Sequence, residues 1–256
     1  MSKFEDFNNI DSEIDTLRSE HLKEGIDPIW VCLRDEDRFE SYGEPEKEAL
    51  AKEGAYGINI SESPTELEKK GFKNGGIDSY VISPLDGLNK FSGNFRNCTG
   101  LVVSGQDRDT GENVSFLTHQ SPRFIFLNQK RQDLFLSDLK SSLLEIKEKC
   151  EEGSIDALLF GGNYVDDQAI NNHISTTQIN KNRYLNSIKL ISEVVDQELG
   201  FQPAVATGPK RTPGEDRVVF DNQKKRLYIS RPEVGESSSN SYLPQDIEEQ
   251  RKTWDE

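Results

Sequence analysis

Cysteine is scarce in this chain: Cys32, Cys98 and Cys150 are the only three in 256 residues. An odd number of widely spaced thiols builds neither a disulfide framework nor a CxxC metal site, and it fits a reducing compartment. A basic excess is missing too. The formal net charge is −15 and the sequence pI about 4.8, whereas a nucleic-acid binder gathers Lys and Arg against the phosphates. Short basic runs such as Lys224-Lys225-Arg226 read as solvated strand ends. No apolar run approaches the roughly 18 residues a membrane helix needs. The first fifteen residues are acidic and carry no apolar signal core, so no cleaved secretory signal is legible. The expectation is a cytoplasmic protein, or one exported as an effector without a cleaved signal, with neither nucleic acid nor membrane insertion among its partners. Phosphate-binding glycine loops, GxSxG and His/Cys clusters at metal spacing are all absent. With 46 acidic residues, paired carboxylates carry no information.

What is present is one sizeable core's worth of chain, organised unevenly. Ile10, Ile14, Leu17 and Leu22 fall near helical spacing and Gly25 ends the run, which predicts a polar helix over residues 1–25. Pro28 to Leu33 reads as a short buried element, and the charged stretch from Arg34 to Glu53 as helix-containing. Ser63-Pro64-Thr65-Glu66 opens another helix, with Ser63 and Glu66 as a capping box and Pro64 at the first position. Glycines 71, 75 and 76 break the chain, which places a boundary near residue 76.

Beyond that boundary the signals alternate. Tyr80–Ser83 reads as a strand and Pro84 to Asn97 as a loop. Thr99–Ser104 and Val114–Thr118 form a hairpin about a turn-rich segment. In that segment Asp107, Asp109 and Gly111 faintly resemble a calcium loop but read as a loop tip. Leu134–Cys150 is an amphipathic helix with Leu136, Leu139, Leu143, Leu144 and Ile146 as its stripe, and 181–199 a second one. Asp156–Phe160 and Pro203–Ala206 are short strands, and Arg217–Phe220 with Arg226–Ile229 a closing hairpin. The fold class is therefore α/β, a mixed α+β layered sandwich of a mostly antiparallel mixed sheet with helices. The expected division is an N-terminal extension over 1–76, partly helical and suited to targeting or substrate recognition, a main domain over 77–231 and a mobile acidic tail over 232–256.

The hairpin carries the chemistry. If Ser104 sits near Val114, Cys98 falls opposite residue 120, one step from His119. Opposed residues of an antiparallel pair lie about 5 Å apart and diagonal neighbours stay within reach. A thiol beside an imidazole can form a thiolate–imidazolium pair, which lowers the thiol pKa and makes a nucleophile. A slip of one residue in register would reverse the faces. The competing view is a buried structural cysteine and a structural histidine. Cys32 and Cys150 sit in apolar patterns and read as core. His21 and His173 read as solvated surface residues.

At these residues the chain resembles the chemoreceptor glutamine deamidases, the CheD family. Ser79-Tyr80-Val81-Ile82-Ser83, a loop, and Cys98-Thr99-Gly100-Leu101-Val102-Val103 look like that family's opening strand and cysteine-bearing strand. Asp156-Ala157-Leu158-Leu159-Phe160-Gly161-Gly162-Asn163 resembles its apolar strand ending in Phe-Gly-Gly. Arg217–Phe220 with Arg226–Ile229 resembles its closing hairpin. The likeness spans about residues 77 to 231, and the cytotoxic necrotizing factor toxins share the same Cys-His chemistry. Carried over by position, Cys98 is the nucleophile and His119 the general base and acid. The family's histidine-orienting threonine falls at Ser92 (98 − 6), which otherwise reads as a loop serine making a turn bond. The approach Gly93-Asn94-Phe95-Arg96-Asn97 replaces a glycine-rich one, and the Cys-to-His gap of 21 residues (119 − 98) exceeds the family's usual gap.

The resemblance implies hydrolysis of a protein glutamine side-chain amide to glutamate and ammonia, with no metal and no organic cofactor. The implied partners are a protein presenting an exposed glutamine and a possible protein regulator. Two other classes stay open: a different thiol acyl transferase, transglutaminase- or protease-like, and a catalytically silent domain that docks a partner with its acidic surface.

Overall fold

The computed structural model describes residues 13–14, 21–34, 55–95, 97–161, 174–206 and 216–230. Apart from Arg34, the helix-containing stretch expected from Arg34 to Glu53 lies outside these residues, as do His173 and the tail over 232–256. Among them run twelve strands and four helices. The strands are β1 (Glu13–Ile14), β2 (Trp30–Arg34), β3 (Ala55–Ile58), β4 (Lys73–Asn74), β5 (Tyr80–Ile82), β6 (Asn89–Phe95), β7 (Gly100–Gln106), β8 (Asn113–Gln120), β9 (Asp156–Phe160), β10 (Ala204–Ala206), β11 (Asp216–Asp221) and β12 (Arg226–Ser230). The helices are α1 (Pro64–Lys69), α2 (Pro122–Ile125), α3 (Gln129–Lys149) and α4 (Ile174–Leu199).

The strands form two mixed six-stranded sheets, ordered β1-β2-β12-β11-β6-β3 and β10-β9-β7-β8-β5-β4. Side chains alternate across a strand, and the second sheet uses both faces. Leu101, Val103, Phe116, Tyr80 and Ile82 point to one core, shared with α3 and α4. Val102, Leu117, Val81, Leu158 and Phe160 point to another, shared with Val218, Phe220, Leu227 and Ile229 of the first sheet. The molecule is thus a layered α+β sandwich of helices, sheet and sheet. Strands buried on both faces read as near-continuous apolar runs, which is why β7 and β9 were visible in the sequence.

Several expectations are corrected. Residues 13–14 are strand, paired antiparallel to β2, and residues 21–25 are turn rather than helix. Ser63 makes no side-chain cap; its backbone carbonyl accepts from Glu66 and Leu67. The helix stripe on α3 keeps Leu139, Leu143 and Ile146 buried as expected, but Leu144 is exposed and Phe135 joins the buried side. Residue 76 is not a seam in the first sheet: β3 pairs with β6, and β2 with β12. His21 is not a solvated side chain either. Its ring stacks on Phe201 with centroids 3.5 Å apart and Nε2 lies 2.9 Å from Ile155 O. Helical spacing was the wrong guide there, because contacts distant in sequence decided the local conformation.

The largest correction is β6. The predicted loop of residues 84–97 holds a seven-residue strand. Asn-Lys-Phe-Ser-Gly-Asn-Phe has little intrinsic β preference; partners on both sides, β3 and β11, supply its pairing.

Candidate active site

The hairpin β7–β8 forms with Ser104 opposite Ser115 and Gly105 opposite Val114, one residue from the expected register. Thr99 and Gln120 exchange both backbone bonds, at 3.0 and 2.9 Å. His119 is therefore opposite Gly100, and Cys98, two residues before Gly100, shares its face as a diagonal neighbour. The expected register would have put the two on opposite faces. Cys98 packs, half-buried, against the core between the sheets, and His119 is 1% exposed on the same side.

Gly100 gives the room that this face needs. A Cβ added there would stand 2.3 Å from Phe160 Cζ and 2.9 Å from Thr118 O. The Phe160 ring lies over the glycine and meets Phe95 edge-on at 5.2 Å; Phe95 in turn stacks on the His119 imidazole at 3.9 Å. Phe95 reaches that position through a bulge. The β11 partners of Ser92 and Phe95 are Val218 and Asp216, two residues against three. The extra residue on β6 returns Phe95 to the face of Ser92.

Ser92 is fully buried. Its hydroxyl donates to Ile58 O at 2.7 Å and lies 3.0 Å from His119 Nδ1. A hydroxyl has one proton. With that proton on Ile58 O, Ser92 accepts from Nδ1–H, and Nε2 is left as the unprotonated nitrogen. Nε2 is buried and has no hydrogen-bond partner among the described residues. The Ser92 contact depends on β3, so a carbonyl from before residue 76 takes part in orienting the imidazole.

The electrostatics differ from the predicted ion pair. Burial pushes the Cys98 thiol up to about 12, with a smaller push from the Asp78 carboxylate. Burial also pulls His119 down to about 3. The free protein therefore holds a neutral thiol beside a neutral imidazole, and no thiol–imidazole hydrogen bond joins them. The N–H of Cys98 makes no hydrogen bond to any described residue.

On the opposite face a buried polar chain fixes the strand that carries the cysteine. Thr118 Oγ1 donates to Gln120 Oε1 (2.6 Å), Gln120 Nε2 donates to Thr99 Oγ1 (3.0 Å), and Thr99 Oγ1 lies 3.2 Å from Ser187 Oγ on α4. Sequence reading missed Phe95, Phe160 and this chain. Only the Phe-Gly-Gly run and the bulky approach to Cys98 hinted at the two aromatics.

Of the other cysteines, Cys150 is buried core, and Cys32 lies in β2 with its side chain outside the described set. Asp107 Oδ1 accepts from the N–H groups of Asp109 and Thr110, an Asx turn that makes the segment a loop tip. Among the described residues, no group of three or more His, Cys, Asp or Glu could hold a metal ion, and no helix is long and apolar enough to cross a membrane. No family model matches the sequence, and no curated protein matches it.

Proposed function

We propose that the protein hydrolyses the side-chain amide of a glutamine on another protein, with Cys98 as nucleophile, His119 as general base and acid, and Ser92 as the residue that orients His119. The observation that carries this is the Ser92–His119 contact. It presents a buried imidazole with Nδ1 held and Nε2 unpartnered on the face that Cys98 occupies. The position six residues before the cysteine is also where the CheD-like resemblance implies an orienting hydroxyl.

The resting pair is neutral, so the thiol proton passes to Nε2 as sulfur attacks the amide carbon. In this reading the N–H of Cys98, which no described residue engages, donates to the carbonyl oxygen as it gains charge. The imidazolium returns its proton to the departing nitrogen, ammonia leaves, and a thioester forms. His119 then takes a proton from water, which hydrolyses the thioester to glutamate and frees the thiol. Each turnover turns a neutral side chain into an anion, which alters the surface that carries it. Substrates are proteins, and the acidic chain suits targets with a basic surface.

The test is ammonia release from glutamine-bearing proteins, with deamidated peptides located by mass spectrometry. Cys98→Ala and His119→Ala should abolish it and Ser92→Ala should lower it. Release that persists in Cys98→Ala sinks the proposal. The elevated Cys98 pKa supports a second reading, a silent CheD-like domain that only docks a partner. Partner binding unaffected by Cys98→Ala, with no ammonia released, selects that alternative.

A further inference from the structure

Asp78 is an exposed acidic residue near the end of the sheet by Cys98, held in an unusual conformation. Its φ is 57°, in the left-handed region that Asp and Asn tolerate better than other side chains. Two bonds fix it: its N–H donates to Ile60 O at 2.8 Å and its Oδ1 accepts from Ser61 Oγ at 2.5 Å. Oδ2 has no partner among the described residues. Strand order brings it to the cysteine. Ser121 N donates to Ser79 O at 2.8 Å, and Ser121 is the residue that faces Cys98 when the Gly100–His119 register is continued by one pair. Asp78 is the next residue out, on the end of the sheet where Cys98 lies two residues before β7. It is close enough to act on the thiol electrostatically. Ile77 beside it is 63% exposed, so a substrate chain meets an apolar contact and a carboxylate together.

We propose that Asp78 is the specificity-determining residue of the Cys98 site: its carboxylate accepts a hydrogen bond from the NH2 of a bound carboxamide and repels the carboxylate left by hydrolysis. The inference rests on the deamidase reading. A neutral amide and its carboxylate product are nearly the same size, so shape alone separates them poorly. A fixed anion separates them by charge. It attracts the donor end of the amide, leaves the carbonyl end for the Cys98 N–H, and drives the product outward.

Iodoacetamide and iodoacetate differ by the same change, carboxamide for carboxylate, and both attack the thiolate. Any change in thiol pKa scales the two rates alike and cancels in their ratio. The experiment measures alkylation of the Cys98 peptide by each reagent in the full chain at pH 9 and low salt, in the parent and in Asp78→Asn. Asparagine keeps the left-handed backbone and can still accept from Ser61, so the fold is retained. A free cysteine peptide gives the intrinsic ratio. The parent should favour iodoacetamide beyond the intrinsic ratio by about three- to tenfold, the range for a nearby unit charge partly screened by water. Asp78→Asn should bring the ratio back to the intrinsic one, and added salt should move the parent the same way. An unchanged ratio in Asp78→Asn overturns the proposal, and so does failure of both reagents to reach Cys98. If ammonia release proceeds while the ratio is unchanged, the deamidase reading stands without Asp78. A shifted ratio in a chain that releases no ammonia keeps the charge filter and removes the reaction.

Discussion

Replacing Ser92 by alanine removes one oxygen and breaks two buried contacts, to Ile58 O at 2.7 Å and to His119 Nδ1 at 3.0 Å. Neither partner can turn to water, because Ile58 and His119 are both buried. Each stranded group costs about 1–3 kcal/mol, so Ser92→Ala should lose about 2–6 kcal/mol of stability. Urea unfolding by linear extrapolation measures the loss. A double-mutant cycle with His119→Ala should assign roughly 1 kcal/mol or more to the pair, the remainder belonging to the Ile58 carbonyl. Nitrogen NMR of the parent imidazole should show the Nδ1–H tautomer, and Ser92→Thr, which keeps the hydroxyl, should keep that tautomer. An Nε2–H tautomer in the parent, or a coupling energy near zero, would refute the account of how His119 is held.

Two further predictions concern the same face. His119 has its pKa lowered from 6.5 to about 3 by burial, so between those values the unfolded chain binds the extra proton and stability is lost as pH falls from about 6.5 toward 3. The full displacement amounts to about 5 kcal/mol, a large part of a typical domain's reserve. His119→Asn should flatten this acid limb of the unfolding curve, and the difference between parent and variant separates it from the opposing contribution of the buried Asp156, whose carboxyl burial pushes up. Gly100→Ala would drive a methyl into the Phe160 ring and the Thr118 carbonyl. It should cost about 1–3 kcal/mol by overpacking in thermal unfolding, and slow Cys98 alkylation by shifting the cysteine; unaltered melting would show that the ring over Gly100 is free to move.

The sequence by itself determined most of the apolar strands, the two long helices and the nominees Cys98 and His119, while Ser92 came from the resemblance to the CheD family. Turn chemistry between two apolar runs specifies a hairpin, and continuous apolar runs specify strands covered on both sides. Local patterning could not set the register, and the slip of one residue is what put the thiol and the imidazole on one face. Nor could it show β6, since Asn89–Phe95 is a strand only because β3 and β11 pair with it. Ser92 was named only through the resemblance, and its contact with the imidazole became visible only when β3 brought the Ile58 carbonyl to its proton. The tertiary structure also decided the electrostatics. Spacing suggests a charged pair, but the buried imidazole and the half-buried thiol lose water that would stabilise their charges, and burial holds both neutral.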